Sequence, residues 1–578
     1  MSNFFLDNED IKFHLKNMDL ARVINLKENY FSSETKAQVG APRDQEDAAD
    51  NYHRVLEIVG AIAGDFIAPR ATDVDREGAT FSDGKVNYAR GTKESLKRLK
   101  DAELMGFTLP REFGGLNLPK TIYSIAIEMI SRADASLMNL FGLQEIADTI
   151  YKFGSEEQRK RYLSRFASGE VTGAMALTEP DAGSDLQSVM LRAQQNSQGE
   201  WRLNGVKRFI TNGLADIQLV MARSEDGSTD GRGISLFIYE RDHSMKIRRI
   251  EHKLGIHGSP TCELQFDDAK AELLGKRRMG LIRYTMSLMN GARLGVSAQA
   301  IGIAEAAYRE AKLYAGQRVQ FKKVIAELPP VNEMLTDMKT TLEASRSLLY
   351  ETSRIVDIKE GLEERIEKHP ESKDDLSNDL QRYSRFAALF TPMLKCFATE
   401  SANKICYDAL QVHAGVGYTT DFNIERLYRD VRITNIYEGT TQLQVVAAIG
   451  GIMTGVLQER LNEYENLHDF TAFAPIVPVF EMVHAFRTSL ESGITMVKQK
   501  ADNKFQDYHA RRITEMAADT TVSYLLCIDA LRAKCERKAS VAAYFAEKAH
   551  SRILGNLNTI TTSFEEKNLF EKHIKILE

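Results

Sequence analysis

Cysteine is scarce in this chain. Its 578 residues include five, Cys262, Cys396, Cys406, Cys527 and Cys535, set far apart with no CxxC pair and no histidine cluster nearby. Such spacing excludes a disulfide framework and suggests no metal site, so a reducing compartment is expected. A block of like charge is missing too: 75 Lys and Arg against 81 Asp and Glu leave a formal net charge of -6. Nothing resembles the basic stripe that tracks a phosphate backbone, and nucleic acid is not an expected partner. Long apolar runs are also lacking. Val445 to Leu457 is too short and glycine-rich to cross a bilayer, which takes roughly 20 residues, so no stable membrane insertion is expected. The first ten residues carry acids where a targeting peptide carries bases, which points to the cytoplasm. There is no repeat of fixed period.

What is present is an ordinary apolar fraction of 43% on a chain too long for one core. Helical spacing of apolar residues governs 1–170, as in Tyr52 to Ile62, with a proline- and glycine-marked loop at Pro110 to Pro119. Short β-branched runs follow over 171–280: Ser188 to Ala193, Trp201 to Asn204, Lys207 to Thr211, Ile217 to Arg223, Ile234 to Tyr239 and Cys262 to Phe266. Asn204-Gly205 and Asn212-Gly213 read as turns between them. Helices return over 281–456, including Ser287 to Ala315, Glu333 to Ile358 and Ser384 to Leu410, with the charged Lys359 to Asp379 expected as a solvated excursion. Val445 to Leu457 reads as a buried helix. Further helical segments around Pro478 to Lys500 and Thr514 to Ala549 form an extension over 457–578. The expected class is α+β and multidomain: an N-terminal helical domain, a central β-barrel or sandwich, a C-terminal helical domain and an added helical domain.

Two stretches carry potential chemistry. In Ile436-Tyr437-Glu438-Gly439-Thr440-Thr441-Gln442 one carboxylate sits between apolar neighbours and a glycine. Partial desolvation would suit Glu438 to proton abstraction, but on these residues alone a capped helix start is the simpler reading. In Ala176-Leu177-Thr178-Glu179-Pro180-Asp181-Ala182-Gly183-Ser184-Asp185 a proline blocks helix and a glycine permits close approach. That loop could cradle a phosphate or the edge of a heterocycle, or be a tight surface turn.

Together with Gln411-Val412-His413-Ala414-Gly415-Val416-Gly417-Tyr418, and with Asp421, Arg426 and Asp430 beyond it, these stretches resemble the signatures of the acyl-CoA dehydrogenases. The resemblance covers roughly Asp47 to Thr454. It implies that fold, with a four-helix-bundle-like C-terminal domain, and FAD as cofactor. It places Leu177, Thr178, Gly183, Ser184, Phe209 and Thr211 around the flavin, Phe209 standing where many members have tryptophan. Arg318 and Gln320, in Arg318-Val319-Gln320-Phe321, would serve the FAD of a neighbouring subunit with Gln411 and Gly415, whereas Thr440 and Gln442 would serve their own. Lys322 replaces the glycine of that motif, Ala414 another glycine, and Pro329 a frequent glutamine. Ser184, Asn290, Arg293 and Gly439 would meet the acyl-CoA. Ala292 occupies the position where one branch keeps its catalytic acid, which directs that role to Glu438.

The implied reaction is α,β-dehydrogenation of an acyl-CoA to the trans-2-enoyl-CoA, as in fatty acid β-oxidation, by a homodimer or tetramer that passes electrons to an electron-transferring flavoprotein. An acyl-CoA oxidase and a DNA-binding flavoprotein of the same fold are the rival readings. In the 457–578 extension, Arg511, Arg512, Lys534, Arg537 and Lys538 are interleaved with acids, which argues against the second rival.

Overall fold

The computed structural model describes residues 2–566 and 569–578. The chain forms two compact units. The first comprises Met1–Lys12, Leu20–Val331 and Ala402–Glu438; the second comprises Phe13–Asp19, Asn332–Ser401 and Gly439–Glu578.

In the first unit the helix Lys120–Ala133 is apolar almost all round, with Ile122, Ile125, Ile127, Met129 and Ile130 fully buried, so it lies at the centre of the helical layer. It packs along Met286–Gln317, a long helix whose alanines and glycines allow close approach. Asp134 ends one helix and caps the next, Ala135–Gly142, by accepting from the Ser136 amide at 2.8 Å. Ser155 and Gln158 form a reciprocal capping box on Glu156–Ala167.

Seven strands make the β layer: β1 (Gly173–Ala176), β2 (Arg192–Gln195), β3 (Trp201–Thr211), β4 (Ile217–Arg223), β5 (Ile234–Glu240), β6 (Met245–Ile250) and β7 (Thr261–Leu273). Pairing runs β4–β5–β7–β3–β2 and returns to β4, which closes a barrel; β1 adds to β4 in parallel and β6 to β7 antiparallel. The return from β2 to β4 is a single pair, Arg192 with Arg223. One apolar cluster fills the barrel, with Leu203, Val220, Phe237, Tyr239, Leu264 and Phe266. Another joins its outer face to the helices, with Leu163, Phe166, Leu219, Leu236 and Ile238. Strands β4 and β5 are therefore buried on both faces, which explains their nearly continuous apolar sequence.

Several sequence expectations are corrected here. Asn204-Gly205 does not turn the chain; it is an irregularity inside β3, where the register against β7 shifts between Leu203 and Gly205. Strand β2 begins at Arg192 because Leu186–Ser188 forms a helical turn capped by Asp185. Strands β1 and β6 had no clear alternating signal, since β1 is short and alanine-rich and β6 is an edge rich in charge.

In the second unit the helix Pro329–Lys368 continues through the charged segment, and Lys373–His413 starts after one short turn. Pairs such as Lys359–Glu363 at 2.9 Å and Glu364–Lys368 at 2.8 Å sit at helical spacing, so that charge supports a helix and does not dissolve it. The expected single helix near Val445 is two, Thr441–Met453 and Val456–Leu467, bent by 66° at Gly455, where φ is 89°. The extension is a bundle of Val477–Lys500, Asn503–Ala533 and Glu536–Phe564, each packed on the other two. The segment expected to run unbroken from Thr514 to Ala549 is split at Lys534, whose φ is 45°. Glu343, fully buried, receives Arg537 at 2.8 and 3.0 Å and Lys538 at 2.7 Å, which fastens the bundle to the helix Pro329–Lys368. Arg511 pairs with Glu515 at 2.8 Å. Among the described residues no single helix is long and apolar enough to cross a membrane.

Candidate active site

The loop after β1 is held from beneath. Lys207, fully buried on β3, donates to the Leu177 carbonyl and to Glu179 Oε1, both at 2.8 Å, while Glu179 accepts from the Met190 and Leu191 amides at 2.6 and 2.9 Å. Burial pulls the Lys207 ammonium down to about 8, and the neighbouring Glu179 carboxylate opposes the shift. This buried pair has all its oxygens engaged by N–H donors, which is the condition under which such a pair is tolerated. Sequence reading missed it, although a lysine at an inward position of a barrel strand requires a partner.

With the loop fixed, β3 turns one ring outward. The register against β7 shifts between Lys207 and Ile210, and Phe209 adopts a φ of 61°, which leaves it 50% exposed. The adjacent Arg208 amide donates to the Thr178 carbonyl at 2.9 Å, so ring and loop are neighbours. Leu177 is buried beneath, Thr178 and Thr211 are half-buried, and Gly183 and Ser184 are exposed. A Cβ on Gly183 would meet only Thr178 Cγ2, at 3.8 Å. An outward aromatic face beside an open, rigid, hydroxyl-lined loop fits a flat heterocycle such as a flavin.

Glu438 lies elsewhere in the same unit, half-buried, with a φ of 55°, followed by Gly439 at 91°. A positive φ is costly for a carboxylate side chain, and its surroundings hold it there. On one side the half-buried Tyr437 donates its phenol to Gln299 Oε1, and the phenol lies 3.2 Å from Asn139 Oδ1. Burial raises its pKa, with the charge of Glu438 adding. Following Glu438, the Gly439 carbonyl accepts from Lys395 Nζ and Gln444 Nε2, both at 2.8 Å, within the second unit. Arg293, 6% exposed, is bonded at 3.0 Å to Asn290 Oδ1; burial lowers its pKa and Glu438 counters this, so carboxylate and guanidinium sense one another. Thr440 and Gln442 open the helix Thr441–Met453 of the second unit, Thr440 as its N-cap residue.

Arg318 leads into and Gln320 stands on the exposed hairpin Val319–Gln320 and Lys323–Val324; Gln411 lies exposed in the last turn of the helix Lys373–His413, and Ala414 and Gly415 on the exposed turn that follows it. The two are adjacent: Tyr314 stacks on His413 with centroids 4.6 Å apart. Among the described residues no hydrogen bond or ion pair joins them to the loop around Thr178. Phe321, Lys322 and Ala414 all take positive φ, of 51°, 64° and 55°. Backbone shape suited to glycine thus persists at Lys322 and Ala414 although the glycines do not.

Comparison with known proteins agrees across the chain. It matches the N-terminal domain of acyl-CoA dehydrogenases over residues 50–170, their middle domain over 174–269, their C-terminal domain over 294–442, and the further acyl-CoA dehydrogenase C-terminal family over 453–569. This chain belongs to the acyl-CoA dehydrogenase family. The dehydrogenase is 33% identical over 431 residues to 3-methylmercaptopropionyl-CoA dehydrogenase of Ruegeria pomeroyi, covering 69% of this chain and 70% of that one. It is 39% identical over 357 residues to an acyl-CoA dehydrogenase of Bacillus subtilis, covering 60% and 86%. An acyl-CoA dehydrogenase of Bacillus anthracis solved with FAD superposes with a TM-score of 0.76 at 25% identity, covering 92% and 91%, so the likeness includes the extension. The enzyme is an FAD-dependent oxidoreductase of the acyl-CoA dehydrogenase fold.

Proposed function

We propose that the dehydrogenase removes two hydrogens across the α and β carbons of an acyl-CoA, with Glu438 as the base that takes the α proton. The observation that carries this reading is the Glu438 turn: a half-buried carboxylate in a positive-φ conformation, coupled to the buried Arg293 and braced through Tyr437. A base must be held at its proton, and that bracing limits the freedom of the carboxylate. Ala292 offers no competing acid. An α C–H next to a thioester is weakly acidic, so the developing enolate needs donors aimed at the thioester oxygen; the amide of Glu438 is suited by position. FAD, when bound, supplies the acceptor for the β hydrogen as hydride. Leu177, Thr178, Gly183, Ser184, Phe209 and Thr211 hold its ring system, and Thr440 and Gln442 also belong to that site. Asn290, Arg293, Ser184 and Gly439 orient the acyl-CoA.

Arg318, Gln320, Gln411 and Gly415 complete the cofactor site of a second copy. Exposed Val319, Phe321 and Tyr418 beside them, at 54%, 85% and 84%, support an oligomer with this face covered. The resemblance supports an electron-transferring flavoprotein as acceptor. Anaerobic mixing with saturated acyl-CoAs tests the reading: flavin absorbance should bleach with formation of enoyl-CoA, and Glu438→Gln should keep the yellow cofactor and lose the bleaching. Bleaching at the wild-type rate in that variant would move the base elsewhere, and stoichiometric peroxide in air would make the enzyme an oxidase.

A further inference from the structure

The irregularity in β3 does more than expose Phe209. Along a regular strand side chains alternate, so Arg208 and Phe209 would point to opposite faces. Here Lys207 pairs with Leu264 and Ile210 with Cys262, which leaves Arg208 and Phe209 together opposite one residue, Glu263. Lys207 and Ile210 both lie inward, at 0% and 2% exposure, and the two residues between them share the outer face. The inserted residue thus sets a cation beside an aromatic ring. Arg208 Cζ lies over the Phe209 ring, 4.7 Å from its centroid. Because the Arg208 amide also donates to the Thr178 carbonyl at 2.9 Å, one residue meets both the ring and the loop to which the flavin is assigned.

Arg208 is not neutralised one for one. Its Nε lies 3.0 Å from Glu251 Oε1 and 3.6 Å from Glu263 Oε2, with the side chain 30% exposed. The same two carboxylates take Arg249 at 3.3 and 3.4 Å, and Glu263 takes Arg248 at 3.3 Å. Three guanidiniums therefore share two carboxylates, and these five side chains carry one positive charge in excess.

Uptake of hydride adds a negative charge to a flavin ring, and a nearby cation favours the more negative form. We propose that Arg208 tunes the cofactor: its guanidinium, acting across Phe209, raises the two-electron potential of bound FAD and so favours hydride removal from the acyl-CoA. This rests on the assignment of the flavin to Phe209 and the loop around Thr178, and is independent of Glu438 as base.

Anaerobic dye equilibration of the purified holoenzyme tests it, since a midpoint potential needs no acyl-CoA and no turnover. Arg208→Gln should lower the potential by about 30 mV, which is roughly tenfold in the two-electron equilibrium. Arg208→Lys, which keeps the charge without the planar fork, should recover most of that fall. Glu251→Gln removes a countercharge and should shift the potential upward. An unchanged potential in Arg208→Gln, a fall that Arg208→Lys does not recover, or a fall in Glu251→Gln overturns the proposal. If Arg208→Gln does not fold or retain its flavin, the sign of the Glu251→Gln shift decides alone. Phe209→Leu checks the assignment beneath: it should alter the flavin absorption band, and a spectrum and potential both equal to wild type would remove the flavin from Phe209 and the proposal with it.

Discussion

The barrel and the helical extension each bury a glutamate against a lysine, and the two pairs do different things. At Glu179 and Lys207 the remaining bonds go to backbone: two amides and the Leu177 carbonyl, all on or beside one loop. At Glu343 and Lys538 the further partners include side chains, Arg537 on the helix of Lys538 and Lys339, 3.2 Å from Glu343 Oε1, on the helix of Glu343. The first pair shapes a loop that a ligand would meet; the second fastens one helix to another. Equal burial therefore says little about purpose, whereas the identity of the remaining partners says a great deal.

The comparison can be sharpened from its most extreme case downward. Glu438→Gln, in the first unit, should lower kcat by roughly 10²–10⁴-fold while thermal unfolding and flavin absorbance stay near wild type; stopped-flow reduction measures it. Glu343→Ala should do the reverse. Removing the carboxylate shared by Arg537 and Lys538 should cost about 3–5 kcal/mol in denaturant unfolding, with little change in kcat per folded, flavin-bearing molecule. A large loss of kcat with unchanged stability would break the contrast. Glu179→Gln should fall between them: the Gln oxygen can still face one amide, so stability should drop by about 1–3 kcal/mol while flavin content after gel filtration falls further. Flavin content equal to wild type would show that the loop does not depend on the pair.

The smallest effect concerns Asp430. It accepts from the Ile256 amide at 2.5 Å, Arg426 stands 3.7 Å away, and burial raises its carboxyl to about 6, with Asp75 and Asp134 adding. A carboxyl whose folded pKa exceeds its unfolded one stabilises while protonated, so that stability is present below about pH 4 and lost as pH rises toward 6. Asp430→Asn should therefore gain roughly 1–2 kcal/mol over wild type at pH 8 and nothing at pH 4, read from urea midpoints. An equal difference at both pH values would rule out titration of Asp430 as the cause.

Much of this was legible in the sequence, because the informative features were local. Helical periodicity, the proline in the loop after β1 and the short β-branched runs are set by near neighbours, and they gave the α, β, α order and the two chemistry-bearing stretches. Errors came where tertiary context overrode local chemistry. Asn204-Gly205 has the composition of a hairpin turn but is absorbed into a strand pinned by β7. The charge of Lys359 to Asp379 suggested a solvated loop, yet its spacing pairs the charges along helices. The supports of the site, Lys207, Lys395, Gln299 and Asn139, were not legible, since each acts on a residue 28 to 298 positions away. Phe209 was found by resemblance, but the bulge that exposes it needed the register.

The single strand pair that closes the barrel has its own consequence. Across that gap Arg223 does what a ladder does elsewhere: its guanidinium donates to the carbonyls of Gln187 at 2.6 Å, Val189 at 3.2 Å, Ser228 at 2.8 Å and Asp230 at 3.1 Å. One side chain thus acts as the buckle of the hoop, and it ties the segment following the Ser184 loop to the turn before β5. Local opening begins where the fewest bonds must break, so the barrel's most easily unfastened edge adjoins the loop proposed to hold the flavin.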